Sequence, residues 1–389
     1  MFPLALSTFT AGIIAPLVGY AGTVALIFAA AQAVGATPGQ TISWLAAICL
    51  AKAIGSMALT WRYRMPIIMA WSTPGAALIA ATGGAVTMPA AVGAFVVVAL
   101  MIMATGLIRP LGDLVGRIPA GIASAMLAGV LFKFVADVAL AVPGAPLLVL
   151  PLVAAFLVAR LVHPASAMLV VVALGVGLTY ALGLAGPLPG DLGLARLEWI
   201  TPSFEAGALI GLGLPLYLVT MAAQNLPGFA VLRANGYHPP AGPVLTMTGL
   251  VSLFSAPFGA HTTNLAAITA AICAGPDAHP DKDKRWPGGI VYGVAFILLA
   301  AFVGPFVALF AAMPKALITT IAGLALAGAL MGALSIAMAE DRTRFPAILT
   351  FATAASGVSV FGIGSAFWGL VIGLAALGVE RLCRRFGIA

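Results

Sequence analysis

Charge is what this chain has least of. Only 7% of its 389 residues are Asp, Glu, Lys or Arg, and just 11 of them are acidic. A water-soluble domain carries about a quarter charged residues, so this chain cannot cover itself with polar surface in water. Cysteine is scarce as well. Cys49, Cys273 and Cys383 lie far apart, without the spacing of a metal site, and read as packing residues. Also missing are a P-loop, a Gly-rich dinucleotide turn and a credible nucleophile–base pair. ATP-driven transport and membrane-bound catalysis therefore lack support, and no cofactor is expected. Asp277, His279, Asp281 and Asp283 look superficially like metal ligands. They share their loop with Lys282, Lys284 and Arg285 and read as a solvated charge run, so no metal is expected either.

What is present is apolar and small. Hydrophobic residues make up 62% of the chain, with 45 Gly and 27 Pro. In lipid, small residues let helices approach closely, and Pro or Gly breaks are tolerated where protein lines a cavity. The composition predicts an all-α polytopic membrane protein whose first apolar segment is a mature span rather than a removed signal. Cutting at turns, Pro/Gly clusters and charges gives about fourteen segments. They lie near 9–34, 38–60, 66–83, 87–108, 119–140, 144–161, 165–186, 206–232, 241–256, 262–274, 288–311, 315–338, 345–362 and 364–382.

Charge provides an independent test of that cut. The net charge of +7 is here a matter of membrane side, not of nucleic acid, for which nothing else speaks. With the N-terminus in the cytoplasm, the inside loops collect Arg62, Arg64, Arg109, Arg117, Arg160, Arg233, Lys282, Lys284, Arg285, Arg342 and Arg344. The tail adds Arg381, Arg384 and Arg385, while the outside loops hold Arg196 and Lys315. This is the positive-inside pattern and predicts an even number of spans with both termini inside. The longest outside connection, 187–204, carries Asp191, Arg196, Glu198 and Trp199 and falls near the middle. It divides the chain into 1–186 and 205–389, two halves of seven segments whose odd number forces opposite orientations, an inverted repeat.

The third segment of each half is interrupted. Pro66 and the bulky run after it suit an extended stretch, then Ser72 or Thr73 can cap a short helix with Pro74 and Gly75 in its first turn. In the second half, Leu253 to Gly259 reads as extended, and His261, Thr262, Thr263 and Asn264 supply capping side chains for a helix running to about Ala274. Interrupted segments at corresponding positions point to a transporter's binding site, and two helix N-termini meeting at the bilayer middle favour an anion, particularly a carboxylate.

The run Ala70-Trp71-Ser72-Thr73-Pro74-Gly75-Ala76-Ala77, with Phe258-Gly259-Ala260-His261-Thr262-Thr263-Asn264, resembles the benzoate:proton symporter family of bacteria. The likeness extends over nearly the whole chain, and its short motifs are fairly specific. That family is similar in architecture to nucleobase and sulfate/bicarbonate transporters. The resemblance implies seven-plus-seven inverted repeats, with a core domain from spans 1–4 and 8–11 and a gate domain from spans 5–7 and 12–14. It also implies proton-driven uptake of an aromatic carboxylate across the bacterial inner membrane. Relatives of this architecture suggest a homodimer. One departure is informative: Gln224 stands where the nucleobase carriers have a binding glutamate, and a second glutamate is missing around Gly259-Ala260. A pocket without those carboxylates suits an anion and leaves the proton-coupling group open.

Single residues fill in the expected site. Buried ionisable groups in lipid are costly and carry a functional presumption. His261 and Asp137 are the candidates for proton handling, with a neutral capping role as the rival for His261. Gln224 and Asn225 are expected to contact substrate or to bridge helices. Tyr20, Trp71, Phe254 and Phe258 could box a benzene ring, Phe258 beside Gly259 being the best placed. Lys133 and Asp137 are four apart on one helical face and are expected to pair. Lys52 is expected to snorkel to the cytoplasmic surface, with an electrostatic role toward the anion as the alternative. The rival functions are transport of a dicarboxylate or sulfate, which usually wants a fixed cation that only Lys52 could supply, an anion channel, and an integral-membrane enzyme.

Overall fold

Helices dominate, as the composition requires. The computed structural model describes residues 5–108, 119–162, 167–187, 194–361 and 363–386. Arg109, Arg117 and Asp191 lie outside them, as do the side chains of Arg384 and Arg385. The first half contains α1 (Leu6–Ala33), α2 (Pro38–Tyr63), strand β1 (Met69–Trp71), α3 (Thr73–Ala80), α4 (Met88–Leu107), α5 (Ala120–Ala141), α6 (Pro146–Val162) and α7 (Ala167–Ala181). The second contains α8 (Ala206–Ala234), α9 (Ala241–Ser255), strand β2 (Thr263–Leu265), α10 (Ile268–Ala274), α11 (Pro287–Ala301), α12 (Val303–Ala311), α13 (Lys315–Ala337), α14 (Asp341–Ala355) and α15 (Ser365–Arg385).

These elements follow the sequence cut, but among the described residues only eight helices are singly long and apolar enough to cross a membrane. They are α1, α2, α4, α5, α8, α9 with its short 3₁₀ extension, α13 and α15. A ninth crossing arises if α11 and α12, bent by 58° at Phe302, count as one. Local signals explain the ends. Thr37 and Gln40 form a reciprocal capping box at the start of α2, and Arg64 closes its other end in the left-handed conformation at φ 53°.

In lipid there is little hydrophobic force between helices, so close packing and polar ties must hold them. Helix α4 meets α9 through glycine: a Cβ on Gly249 would lie 2.6 Å from the Met103 nitrogen, and one on Gly106 would lie 2.6 Å from that of Thr246. Helix α1 packs on α3 and α11, α2 on α11 and α9, and α4 on α9. A second group has α5 packed on α13 and α14, and α14 on α15, and it meets the first where α13 touches α1 and α5 touches α3.

Candidate functional site

The centre of the molecule is a two-stranded ladder. Strands β1 and β2 pair antiparallel, with Met69 opposite Leu265, Ala70 opposite Asn264 and Trp71 opposite Thr263. The Ser72 N–H donates to Thr262 O over 3.0 Å and the Ala266 N–H to Ile68 O over 2.9 Å, extending the ladder at both ends. Extended backbone buried in a membrane protein must find every partner internally. The first N–H of each strand is taken by a serine of the helix before it: Met69 N donates to Ser56 Oγ and Thr263 N to Ser252 Oγ, each over 2.9 Å. The Tyr292 hydroxyl donates to Met69 O over 2.7 Å.

The first interruption matches its expectation. Ser72 is the N-cap of α3, its Oγ accepting from Gly75 N over 3.1 Å, and Pro74 sits in the first turn. Gly75 has to be small, because a Cβ there would lie 2.5 Å from a Leu216 methyl. Thr220 of α8 joins the cap to the second strand: its hydroxyl donates to Ser72 Oγ at 3.2 Å and lies 3.0 Å from Thr262 Oγ1.

The second interruption is displaced. The stretch from Leu253 to Gly259 is not extended: α9 runs to Ser255 and Ala256–Phe258 form a 3₁₀ turn that ends at Gly259 with φ 91°. A left-handed glycine stops the helix there, and the β-branched Thr262 and Thr263 favour strand after it. His261, Thr262, Thr263 and Asn264 therefore do not cap a helix. Helix α10 begins only at Ile268, with Ala267 as an N-cap that offers no side chain. The hydroxyl of Thr263 goes instead to Ser252 Oγ at 2.8 Å and to Thr248 O at 3.1 Å.

His261 has no exposure to solvent. The Trp44 indole N–H lies 3.0 Å from His261 Nδ1, and His261 Nε2 lies 3.1 Å from Ser72 O. An indole nitrogen only donates, so Nδ1 accepts and Nε2 carries the proton that is given to the Ser72 carbonyl. The ring is a neutral bridge between α2 and the end of β1.

Helix α8 contains two wide π turns, Leu209–Gly213 and Met221–Asn225, each ending two residues before a proline, Pro215 and Pro227. Proline offers no N–H to the carbonyl four residues back, and the wider register reaches past it. The second turn carries Gln224 and Asn225. Asn225 Oδ1 accepts from Leu265 N over 2.9 Å, so it bridges helix and strand. Asn264 Nδ2 donates to Leu265 O at 2.8 Å and to Gln224 Oε1 at 3.4 Å. Gly228 is pressed against Leu265 and Ala266. Nothing in the residue pattern indicated the π turns except the two prolines.

The aromatic expectations divide. Tyr20 and Trp71 are edge to face with centroids 5.8 Å apart, and Phe306 and Phe296 join them at 5.3 Å from Tyr20 and 6.4 Å from Trp71. Phe254 is 69% exposed and takes no part in this cluster. Phe258 packs against Trp199 of the 187–204 connection, centroids 5.7 Å apart, and its carbonyl accepts from Ser43.

Two charge expectations are corrected. Lys133 and Asp137 form no ion pair; Lys133 is exposed while Asp137 is half-buried, and a Lys that precedes its acid by four residues has the weaker orientation. Lys52 does not snorkel. It is 2% exposed, with Nζ 3.3 Å from the Trp71 ring centroid and 3.4 Å from that of Phe296. The helical spacing placed it on α2 but could not say that its tip turns inward to these rings.

In the loop after α10, Arg285 donates to Ala274 O and His279 O, both at 2.6 Å, and to Pro280 O at 3.1 Å. Asp281 accepts from Asp283 N and pairs with Lys284 at 3.4 Å, contacts that hold its carboxyl below the usual range. These charges serve the loop's own backbone.

Three buried side-chain atoms among the described residues lack a hydrogen-bond partner: Tyr20 Oη, Asn264 Oδ1 and Thr269 Oγ1. Each such group costs about 1–3 kcal/mol when left unmatched. Asn264 stands in the middle of β2 opposite Ala70, Thr269 in the first turn of α10, and Tyr20 on α1 with its ring against Trp71. Two of the three are hydroxyls able to donate. Thr269 carried no signal in the sequence.

The sequence profile of the family described as "Benzoate membrane transport protein" matches residues 3–379. The chain is 39% identical over 371 residues to the benzoate membrane transport protein of Acinetobacter baylyi, covering 95% of this chain and 94% of that one. It is 38% identical over 373 residues to the inner membrane protein YdcO of Escherichia coli, covering 96% and 95%. Among solved structures it resembles the transmembrane domain of the cyanobacterial bicarbonate transporter BicA, with TM-score 0.59, 13% identity and coverage of 96% and 98%. It also resembles SLC26A9, with TM-score 0.67, 11% identity and coverage of 96% of this chain and 65% of that one.

Proposed function

This chain belongs to the benzoate membrane transport protein family, and from that premise we propose that it carries benzoate or a similar aromatic carboxylate into the cell together with a proton. The family is one of multi-pass membrane transport proteins, not of enzymes. The observation that carries the finer reading is a set of unmatched donors beside an aromatic wall: the Tyr20 hydroxyl, whose ring lies against Trp71 next to the Ser72 cap, and the Thr269 hydroxyl on α10, which packs against Gly19 of α1, with Phe296 and Phe306 completing the wall. A carboxylate needs donors and a benzene ring needs an apolar wall. No acidic side chain stands among these residues to repel an anion.

Ser72, Thr73, Pro74 and Gly75 present the N-terminal turn of α3 to the carboxylate. Gln224, half-buried on the π turn, adds an amide. Asn225, His261, Thr262, Thr263 and Asn264 hold the two strands in place around it, and Phe258 with Gly259 forms the outer edge. The paired use of Ser56 and Ser252, one from the helix preceding each strand, supports fourteen segments in two inverted halves of seven. The denser packing of α5, α13, α14 and α15 on one another than on α1 and α3 supports a gate that moves against the core. We place the protein in the inner membrane with both termini cytoplasmic, as a homodimer.

The test is uptake of radiolabelled benzoate into proteoliposomes with and without an inward proton gradient. Saturable accumulation that collapses with the gradient is expected. No uptake of benzoate, with saturable uptake of labelled sulfate or a dicarboxylate in its place, would overturn the substrate. Uptake that does not saturate would point to a channel.

A further inference from the structure

Lysine in a membrane interior is normally matched by an acid or drawn to the surface. Lys52 has neither. Its side chain is 2% exposed, and the ion pairs among the described residues are Lys284–Asp281 and Arg344–Asp341, both in loops or at helix ends. It makes no hydrogen bond there, and its amine is held between the faces of Trp71 and Phe296. Trp71 is the last residue of β1, immediately before the Ser72 cap, so the amine lies one side chain away from the candidate carboxylate position.

We propose that Lys52 is the proton-carrying group of the transport cycle, its amine taking up a proton when the anion enters and releasing it when the anion leaves. The inference rests on the anion-transport reading above. An ammonium buried without an anion is costly, and two aromatic faces offset only part of that cost. With an anion a few ångströms away the balance reverses. Anion and proton then each raise the other's affinity by the same factor, which linkage requires. Entry joins a carboxylate and one proton to a neutral amine; exit returns both, the ammonium passing its proton to water. The loaded centre and the empty centre thus carry the same net charge, and neither crossing moves an unpaired ion through lipid.

The neighbouring titratable groups do not compete for this role. From α1 comes Tyr20, from α2 itself Cys49, from α10 Cys273 and from α11 Tyr292, all buried, and none is an acid that could neutralise an ammonium. His261 already spends both ring nitrogens, one accepting from Trp44 and one donating to Ser72 O. A second proton on its ring would face the indole N–H.

The experiment measures proton exchange on binding, with the purified full-length protein in weak buffer and a pH-indicator dye. Wild-type protein is expected to take up about one proton per benzoate bound at neutral pH. Lys52→Arg keeps a permanent cation; it should bind benzoate without proton uptake and, in liposomes, exchange labelled for unlabelled benzoate while losing gradient-driven accumulation. Lys52→Gln should bind about tenfold more weakly, without dependence on pH between about 6 and 8. Benzoate binding to wild type with no proton uptake would overturn the inference, without recourse to any variant. So would a folded Lys52→Gln protein that still accumulates benzoate against its gradient. A wild type that ignores benzoate but takes up a proton with sulfate or a dicarboxylate would overturn the substrate alone and leave Lys52 in place. Binding of no anion would overturn both.

Discussion

Trp44 fixes the protonation state of His261. The indole N–H reaches Nδ1 over 3.0 Å, the imidazole proton is thereby sent to Nε2, and Nε2 gives it to the Ser72 carbonyl, the residue that caps α3. One tryptophan on α2 thus orients the turn where an anion is expected to bind.

Trp44→Phe keeps the packing against Phe95 but removes the donor. A buried Nδ1 without a partner costs about 1–3 kcal/mol. A lower Tm is expected, with a weaker KM for benzoate because Ser72 is less firmly held. An unchanged Tm would mean that His261 finds another donor.

Tyr20→Phe and Thr269→Val separate function from folding. Each removes a buried hydroxyl that has no partner in the protein, so Tm should stay level or rise slightly. If these hydroxyls donate to the carboxylate, each change should cut benzoate affinity about tenfold, equivalent to about 1.4 kcal/mol. Full affinity in both would remove them from the site.

Asn225→Ala and Asn225→Asp should fail differently. Alanine leaves the Leu265 N–H orphaned beside the ladder and should lower Tm, by about 1–3 kcal/mol of stability. Aspartate keeps an acceptor but places a carboxylate next to the anion path. Its loss should fall on uptake, measured per folded molecule, and more heavily than alanine's.

Arg285→Ala should loosen the loop after α10, since one carbonyl at the end of the half-helix, that of Ala274, and two in the loop, those of His279 and Pro280, lose their donor at once. A charge-assisted bond contributes about 1.5–3 kcal/mol, so faster proteolysis within 275–286 and a lower Tm are expected. Lysine, with one point of contact in place of a fork, should recover only part of this.

Much of this was legible in the sequence because lipid leaves few choices: apolar length and punctuation located the helices, and Pro66, Ser72 and Pro74 marked the first broken segment with its cap. The second is displaced from its expected place because its polar residues suit caps and strand alike. Thr262 and Thr263 are β-branched and sit after a glycine in the left-handed region, so strand wins over helix. Side-chain direction was the other blind spot. Helical spacing puts Lys133 and Asp137 on one face but does not make them touch, and it puts Lys52 on α2 without revealing which way four methylenes turn. Phe254 looked like a wall of the site from its neighbours in sequence, and the helix turns it outward.

The ladder has a bearing on how the protein is made. Its two strands lie almost two hundred positions apart in the chain, with every partner of β1's outer edge supplied by residues 262–266. While the first half is being inserted, Ser56 can meet the Met69 N–H, but the Ile68 and Met69 carbonyls, the Ala70 main chain and the Ser72 N–H still lack their partners. The ribosome must deliver most of the second half before that debt is settled, so the first half on its own should be a client for insertion chaperones and membrane proteases, and closure of the ladder should be among the last steps of biogenesis.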